Sequence, residues 1–352
     1  MTEKSVLQLG IMPLSDSAPF VVAQECGFFN RYGLEVQLCM QNSWSTLREK
    51  LYAGILDAAQ LLAPMPLAEN IKLNEGPRLI TPMVLSRNGN AISISHDLQH
   101  EICRLNGKTE LLQPLSARVL EKLLAEDGER CLRFAAVHPY SCHYYQLLSW
   151  FRSFDVSLER IEIIILPPSQ MVTALQCGDI DGFCVSSPWN TKAVRSGNAC
   201  TVLTATDIWP SFPEKVLGLL DCWYESKPDT CYALMAALRD SCQWLSSSAN
   251  RLEAARILSR QDYLDLSLDV VAPSLLGASL GNAQKQARQV PQYNQFLTIE
   301  NRSDFSPLAS YGDWLLVQMQ RAGQIKSRDD FSDVVGRAYR EDIYERAWEV
   351  YA

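Results

Sequence analysis

Four histidines, no Cys-x-x-Cys pair, no run of basic residues and no uninterrupted apolar stretch of about eighteen residues set the first limits on this chain. Without clustered Lys and Arg, and with a net charge of −8 over 352 residues, no face suits a phosphate backbone, which argues against direct nucleic-acid contact. No segment is long and apolar enough for a membrane-spanning helix. The opening MTEKSVLQLGIMPL passes from a short polar start into a strand-like run and lacks the apolar core and small-residue cleavage site of a secretory leader. Eleven cysteines without metal-ligand spacing suit a reducing compartment, where cysteine serves as a small hydrophobe. The expected location is therefore the cytoplasm, unless a leader once preceded Met1.

The catalytic motifs are missing too. There is no HExxH, no GxSxG and no P-loop. His138 and His143 flank Cys142 in HPYSCH, but their five-residue spacing does not by itself make a metal pair. The expectation is a protein that is not an enzyme, with no cofactor and no metal.

What the sequence does contain is a segment written twice. Leu51-x-x-Gly54-x-x-Asp57-Ala58 corresponds to Leu175-x-x-Gly178-x-x-Asp181-Gly182. Each copy follows a helix with a polar start, at Ser43 and Ser169, and before that a strand-like run, LEVQLC (34–39) and IEIIIL (161–166). Strand, helix, tight turn, strand is the spacing of a βαβ unit in a parallel sheet. Two copies more than a hundred residues apart suggest two similar α/β lobes, not a solenoid. With 47% hydrophobic residues, the chain can build two cores. The Asp before a small residue suggests a turn former in each copy.

The remaining pattern orders itself around those copies. VLQLGIMPL (6–14) predicts a strand, followed by a helix capped near Ser15, Asp16 or Ser17 with Pro19 in its first turn. ITPMVLSRNGNAISIS (80–95) predicts two strands around an Asn-Gly turn, and LRFAAVHPY (132–140) another strand before a helix that begins at Ser141. CTVLTATDIWP (200–210) returns the chain, EKVLGLLDCWYE (214–225) gives a last strand, and helices follow from about 229. The polar segment 282–306 suggests an irregular surface connection. One lobe is then 1–96 plus 204–352 and the second, 97–203, is inserted, with crossovers near 93–97 and 200–206. Trp44 and His143 sit at helix starts, where first-turn N–H groups have no helical partner. Taken singly, Trp44 suits core packing, His143 a satisfied helix-start histidine, Asn90 a turn and Lys215 a surface. Only a fold could join them.

Several longer segments resemble the nitrate- and bicarbonate-binding proteins of ABC uptake systems: IMPLSDSAPFVVAQECGFFNRYGLEVQL, NSWSTLREKLYAGILDAAQLLAPMPLA, PPSQMVTALQCGDIDGFCVSSPWNTKAV and DIWPSFPEKVLG. The resemblance implies an α/β, two-lobed periplasmic-binding-protein-like (type II) fold with a ligand cleft between the lobes. It implies a nitrate site using Trp44, His143 and Lys215, with Asn90 where the family carries glutamine. Trp44, Asn90 and Lys215 would lie on the first lobe or hinge side, His143 on the second. Lysine at 215, where bicarbonate-type members tend to be acidic, leans toward nitrate or nitrite, because a buried anion needs a compensating cation or several donors. Lys215→Glu is then expected to abolish the nitrate response in a protein that stays folded. The many cysteines and the missing leader resemble the cytoplasmic nitrate-sensor branch (NasS-type). That branch implies that the anion releases an ANTAR-type RNA-binding antiterminator and so regulates nitrate assimilation. The alternatives are a transport-linked nitrate- or bicarbonate-binding protein of an ABC importer, or an enzyme on the same scaffold.

Overall fold

The structure, a computed structural model, describes residues 6–72, 75–154, 156–282, 286–298 and 302–351. Ten strands carry the architecture: β1 (Leu7–Ile11), β2 (Val36–Met40), β3 (Ala58–Leu62), β4 (Leu79–Asn88), β5 (Asn90–Ser95), β6 (Leu132–Ala136), β7 (Ile161–Ile165), β8 (Gly182–Ser186), β9 (Ala199–Thr204) and β10 (Pro213–Leu220). The chain divides into two compact units. The first comprises Met1–Arg87, Pro213–Asp265 and Phe296–Ala352; the second comprises Asn88–Phe212 and Leu266–Gln295. The segments expected near 93–97 and 200–206 hold two strands of one sheet, β5 and β9, paired antiparallel with Ile94 opposite Cys200.

In the first unit the sheet runs β2-β1-β3-β10-β4, with a short strand, Asn294–Phe296, beyond β4. β1 pairs in parallel with both β2 and β3, while β10 enters antiparallel between β3 and β4. The second sheet runs β7-β6-β8-β5-β9. β6 is parallel to β7 and β8, and β5 is antiparallel to β8 and β9. Position by position the two sheets share one plan: two edge-to-centre βαβ crossovers, then one reversed strand. The repeated sequence is β2–helix–β3 in one sheet and β7–helix–β8 in the other. The interior strands β3 and β8 are fully buried, as parallel strands covered on both faces must be, whereas the outer β2 and β7 are partly exposed.

Helix Trp44–Tyr52 forms as its sequence dictates. Ser43 accepts the N–H of Thr46 through its side chain, and Trp44, Leu47 and Leu51 bury one stripe at i, i+3 and i+7. Burying each of those side chains stabilises by about 1.5–3 kcal/mol. Ser141 caps helix Cys142–Arg152 in the same way, accepting from the N–H of Tyr144.

Other expectations are corrected. Ser169 caps nothing: it lies inside a 3-10 turn, Pro168–Gln170, that leads into helix Met171–Gln176. Ser15, Asp16 and Ser17 form a 3-10 turn before helix Ala18–Glu25, and none of them caps it through a side chain. Ser17 donates to the carbonyl of Leu14 at 2.7 Å, and Asp16 is engaged elsewhere. The Asn-Gly turn does not close a hairpin, because β4 belongs to one sheet and β5 to the other. β10 is not the last strand either. Within 282–306, of which 283–285 and 299–301 lie outside the described residues, Val290, Tyr293, Phe296 and Phe305 are buried, and Asn294–Phe296 joins the first sheet. These apolar side chains, with the buried Leu297, supply the burial that an average over polar composition hides.

Asp57 and Asp181 do more than shape turns. Asp57 Oδ2 accepts the backbone N–H of Gln8 at 2.9 Å, and Asp181 Oδ2 accepts that of Arg133 at 2.7 Å. Each Asp N–H in turn donates to the carbonyl of the same residue. The repeated aspartate thus clamps the start of the neighbouring parallel strand, β1 or β6. The preceding glycines, Gly54 and Gly178, have φ of 67° and 75°, the left-handed turn that ends each helix.

Candidate oxyanion-binding site

In open α/β sheets, ligands bind outside the carboxyl ends of parallel strands, where the strand order reverses. In the first unit that edge holds the residues after β1 and β2, the end of β3 and the beginning of the reversed strand β10. Lys215 lies there, opposite Leu62 at the end of β3. It is fully buried, although alone it suggested a surface lysine.

Lys215 Nζ stands 2.8 Å from Asp16 Oδ2 and 3.0 Å from Glu214 Oε1, and all three side chains are buried. Burial alone would push the ammonium's pKa down; the charges of Asp16 and Glu214 outweigh it and hold Lys215 above its ordinary value. Gln60, at the centre of β3, ties the cluster to the chain: its Nε2 donates to Asp16 Oδ1 at 2.7 Å and its Oε1 accepts the N–H of Met12 at 3.2 Å. Lys215 Nζ is 5.8 Å from the centroid of the Trp44 ring. Trp44 is buried at 1% exposure, and its indole N–H finds no acceptor among the described residues; neither does the buried hydroxyl of Ser15. A buried donor without a partner costs about 1–3 kcal/mol, so a ligand acceptor would recover that loss.

The second unit repeats the placement with different chemistry. Asn90 opens the reversed strand β5, opposite Ser186 at the end of β8. It is no turn residue: fully buried, it donates to Gln146 Oε1 at 3.1 Å and accepts from Ser186 Oγ at 2.6 Å. Ser186 Oγ also lies 3.1 Å from His143 Nε2. Asn90, expected on the first lobe or hinge side, falls in the same unit as His143, just past the boundary between Arg87 and Asn88. The structure joins the four residues as two pairs, Trp44 with Lys215 and Asn90 with His143.

Asp16, Glu214, Gln60, Ser186 and Gln146 were missed in the sequence. A signal existed for Asp16, since PLSDS follows β1 as HPYSCH follows β6. Two buried carboxylates already face Lys215. His138 turns its Nδ1 to the backbone N–H of Tyr140 at 3.1 Å, and among the described residues no group of three or more His, Cys, Asp or Glu could hold a metal ion. Gly107-Lys108-Thr109 has Ile102 where a phosphate-binding loop needs glycine, and it follows helix His96–Leu105 instead of opening one. Among the described residues no helix is long and apolar enough to cross a membrane.

A reversed strand inserted beside a 2-1-3 parallel core, repeated in two units, defines the fold of the periplasmic binding proteins. The periplasmic nitrate-binding protein NrtA from Synechocystis PCC 6803 superimposes with a TM-score of 0.88 over 99% of this chain and 89% of that one, at 23% identity. Residues 1–259 match the NMT1-like family, and the chain belongs to it. It is 35% identical over 349 residues to the nitrate import ATP-binding protein NrtC of Synechocystis sp., covering 98% of this chain and 50% of that protein. With the nitrate/nitrite binding protein NrtA of Nostoc sp. it shares 26% identity over 352 residues, 98% of this chain and 77% of the other. The chain thus spans about half the length of its NrtC relative.

Proposed function

We propose that this protein binds nitrate or nitrite, with Trp44, Asn90, His143 and Lys215 as the ligand-binding side chains. The observation that carries this reading is the buried indole N–H of Trp44, unpartnered and beside an ammonium at the carboxyl ends of β1–β3. A planar oxyanion accepts such a donor. The names of the relatives supply the ligand class. The test is calorimetric titration with nitrate, nitrite, bicarbonate and chloride, on the wild type and on Trp44→Phe. Phe keeps the burial and removes the N–H, so nitrate affinity should fall about tenfold, equivalent to about 1.4 kcal/mol, with no loss of thermal stability. Equal nitrate affinity in the two proteins would remove Trp44 from the site.

The role we propose is regulatory and cytoplasmic: the anion-bound form releases an ANTAR-domain antiterminator. Eleven cysteines, none in a disulfide, and an acidic chain that would leave RNA contact to its partner support it. The relatives named for import favour instead a transport-linked binding protein. Co-purification with such a partner, tested with and without nitrate, separates the two. A complex that nitrate dissolves supports the sensor, and a chain that never holds the partner supports transport. In either role the anion acts only through its different affinity for two states of the protein.

A further inference from the structure

β3 and β4 are both antiparallel to β10, so they run the same way, and Leu79 begins β4 at the edge of the sheet opposite Lys215. At that edge the first unit holds a cavity of about 300 Å³. Its walls are the end of helix Met65–Lys72, the residues leading into β4, the 3-10 turn Asp329–Phe331 and helix Ser332–Ala338. The two helices pack on each other. The N–H of Arg340 donates to the carbonyl of Thr81 at 2.9 Å, which fixes the later segment against β4.

One lining residue is a buried amide whose acceptor is unused. Asn70 is 9% exposed, and its Nδ2 donates to the carbonyl of Leu79 at 2.8 Å. Its Oδ1 finds no donor among the described residues, a destabilising state that a ligand N–H would relieve. The charges around it do not cancel among themselves. Arg337 is held by Asp333, to whose carboxylate and carbonyl it donates, and Lys72 turns to Glu69 at 3.2 Å. The side chains of Glu75, Arg78 and Asp330, all three exposed lining residues, meet no hydrogen-bond or ion-pair partner among the described residues. The cavity therefore offers one guanidinium, two carboxylates and a buried carbonyl acceptor. Its complement is a molecule with one carboxylate and two cationic N–H groups. Phe331, half-buried in the wall, suits an aliphatic stem joining them.

We propose that this cavity binds a free amino acid with a cationic side chain, of the chemistry of arginine or lysine. The α-carboxylate pairs with Arg78. The α-ammonium and the side-chain cation pair with Glu75 and Asp330, and one of them also donates to Asn70 Oδ1. The ligand's single net positive charge offsets the single negative charge left by two carboxylates against one guanidinium. The inference stands apart from the oxyanion reading: it uses the opposite edge of the same sheet and none of the residues assigned to nitrate.

The experiment is calorimetric titration of the intact chain with L-arginine, with agmatine, which lacks the carboxylate, and with N-acetyl-L-arginine, which lacks the α-ammonium. L-Arginine should bind saturably, and more weakly as salt is added, because the charged rim is open to solvent. It should outbind each of the other two by about three- to tenfold. Arg78→Met should lose that factor for L-arginine and nothing for agmatine, whereas Asp330→Asn should weaken both. Thermal melts of the two variants should match the wild type, since neither side chain bonds within the fold. Agmatine bound as tightly as L-arginine, or unchanged L-arginine affinity in Arg78→Met, overturns the assignment of the carboxylate. N-Acetyl-L-arginine bound as tightly as L-arginine overturns the free amino acid as the ligand. No saturable binding of L-arginine in dilute buffer overturns the site altogether.

Discussion

Asp57 and Gln8 exchange two hydrogen bonds across 49 residues of chain: the Gln8 N–H donates to Asp57 Oδ2 and the Asp57 N–H to the Gln8 carbonyl, each at 2.9 Å. Trp223 Nε1 adds a third bond, to Asp57 Oδ1 at 2.7 Å. Asp181 and Arg133 make the same exchange in the second unit. Hydrogen bonds to a charged group contribute about 1.5–3 kcal/mol. Asp57→Ala and Asp181→Ala should therefore each lower the unfolding free energy by about that amount. Because the two sites share no partner, the double variant should show the sum. Denaturant melts of the four proteins decide it, and a double variant no worse than either single one would mean that the clamps are not independent.

Lys215→Glu is not the clean binding knock-out that the sequence suggests, because it would place three carboxylates in one buried cluster. Even Lys215→Met strands Asp16 and Glu214 together without their cation, and breaking a buried pair from one side costs about 3–5 kcal/mol. Lys215→Met should melt far below the wild type, and adding Asp16→Asn should recover part of the loss. A single variant with wild-type stability would show that the cluster is already neutral without its lysine.

Gly182→Ala should destabilise by about 1–3 kcal/mol, the usual effect of overpacking. A Cβ there would lie 2.5 Å from Phe134 Cε1 and 2.8 Å from the carbonyl oxygen of Ser93, and that backbone atom has nowhere to go. In the other copy of the repeat Ala58 takes the place without conflict. Ala58→Gly and Gly182→Ala, compared by thermal melts, should give losses of different origin: a missing contact in one, a clash in the other.

Acid should weaken the second unit through Asp207. Burial pushes its carboxyl pKa up, but the Arg288 guanidinium and the N–H and hydroxyl of Thr204 outweigh that and hold it below its ordinary value. A carboxylate with a depressed pKa contributes stability that is present above its unfolded value and lost as pH falls through the folded one. Arg288→Met should therefore lower stability at neutral pH and flatten its decline below about pH 4. Denaturation midpoints measured against pH for both proteins test this, and parallel curves would count against it.

The pieces legible in the sequence were those whose cause lies within one turn or one strand. Ser43 and Ser141 cap helices because the accepting side chain and the donating N–H are three residues apart. The interior strands announce themselves as apolar runs. What stayed hidden depends on partners remote in the chain. Nothing beside Asp16 hints at Lys215, 199 residues on, and nothing in RNGNAIS tells whether Asn90 turns or pairs. Lys215 read as a surface residue because one side chain cannot reveal the two acids that bury it. The strand Asn294–Phe296 was masked by its amides, since an edge strand short of apolar residues leaves little periodicity to count.

The position of β10 bears on how the polypeptide emerges from the ribosome. β10 lies between β3 and β4 in the first sheet, yet about 125 residues, nearly the whole second unit, are synthesised between β4 and β10. Until residue 220 has been made, β4 has no hydrogen-bonding neighbour on that side, and its ten wholly buried residues wait exposed. At about 5–20 residues per second that interval lasts several seconds, long enough for an unpaired apolar strand to meet other nascent chains. The second unit is unfinished as well until Leu266–Gln295 arrives. Neither half of this protein can be completed before the other has begun, so truncation at either boundary should yield aggregates and no half-sized folded product.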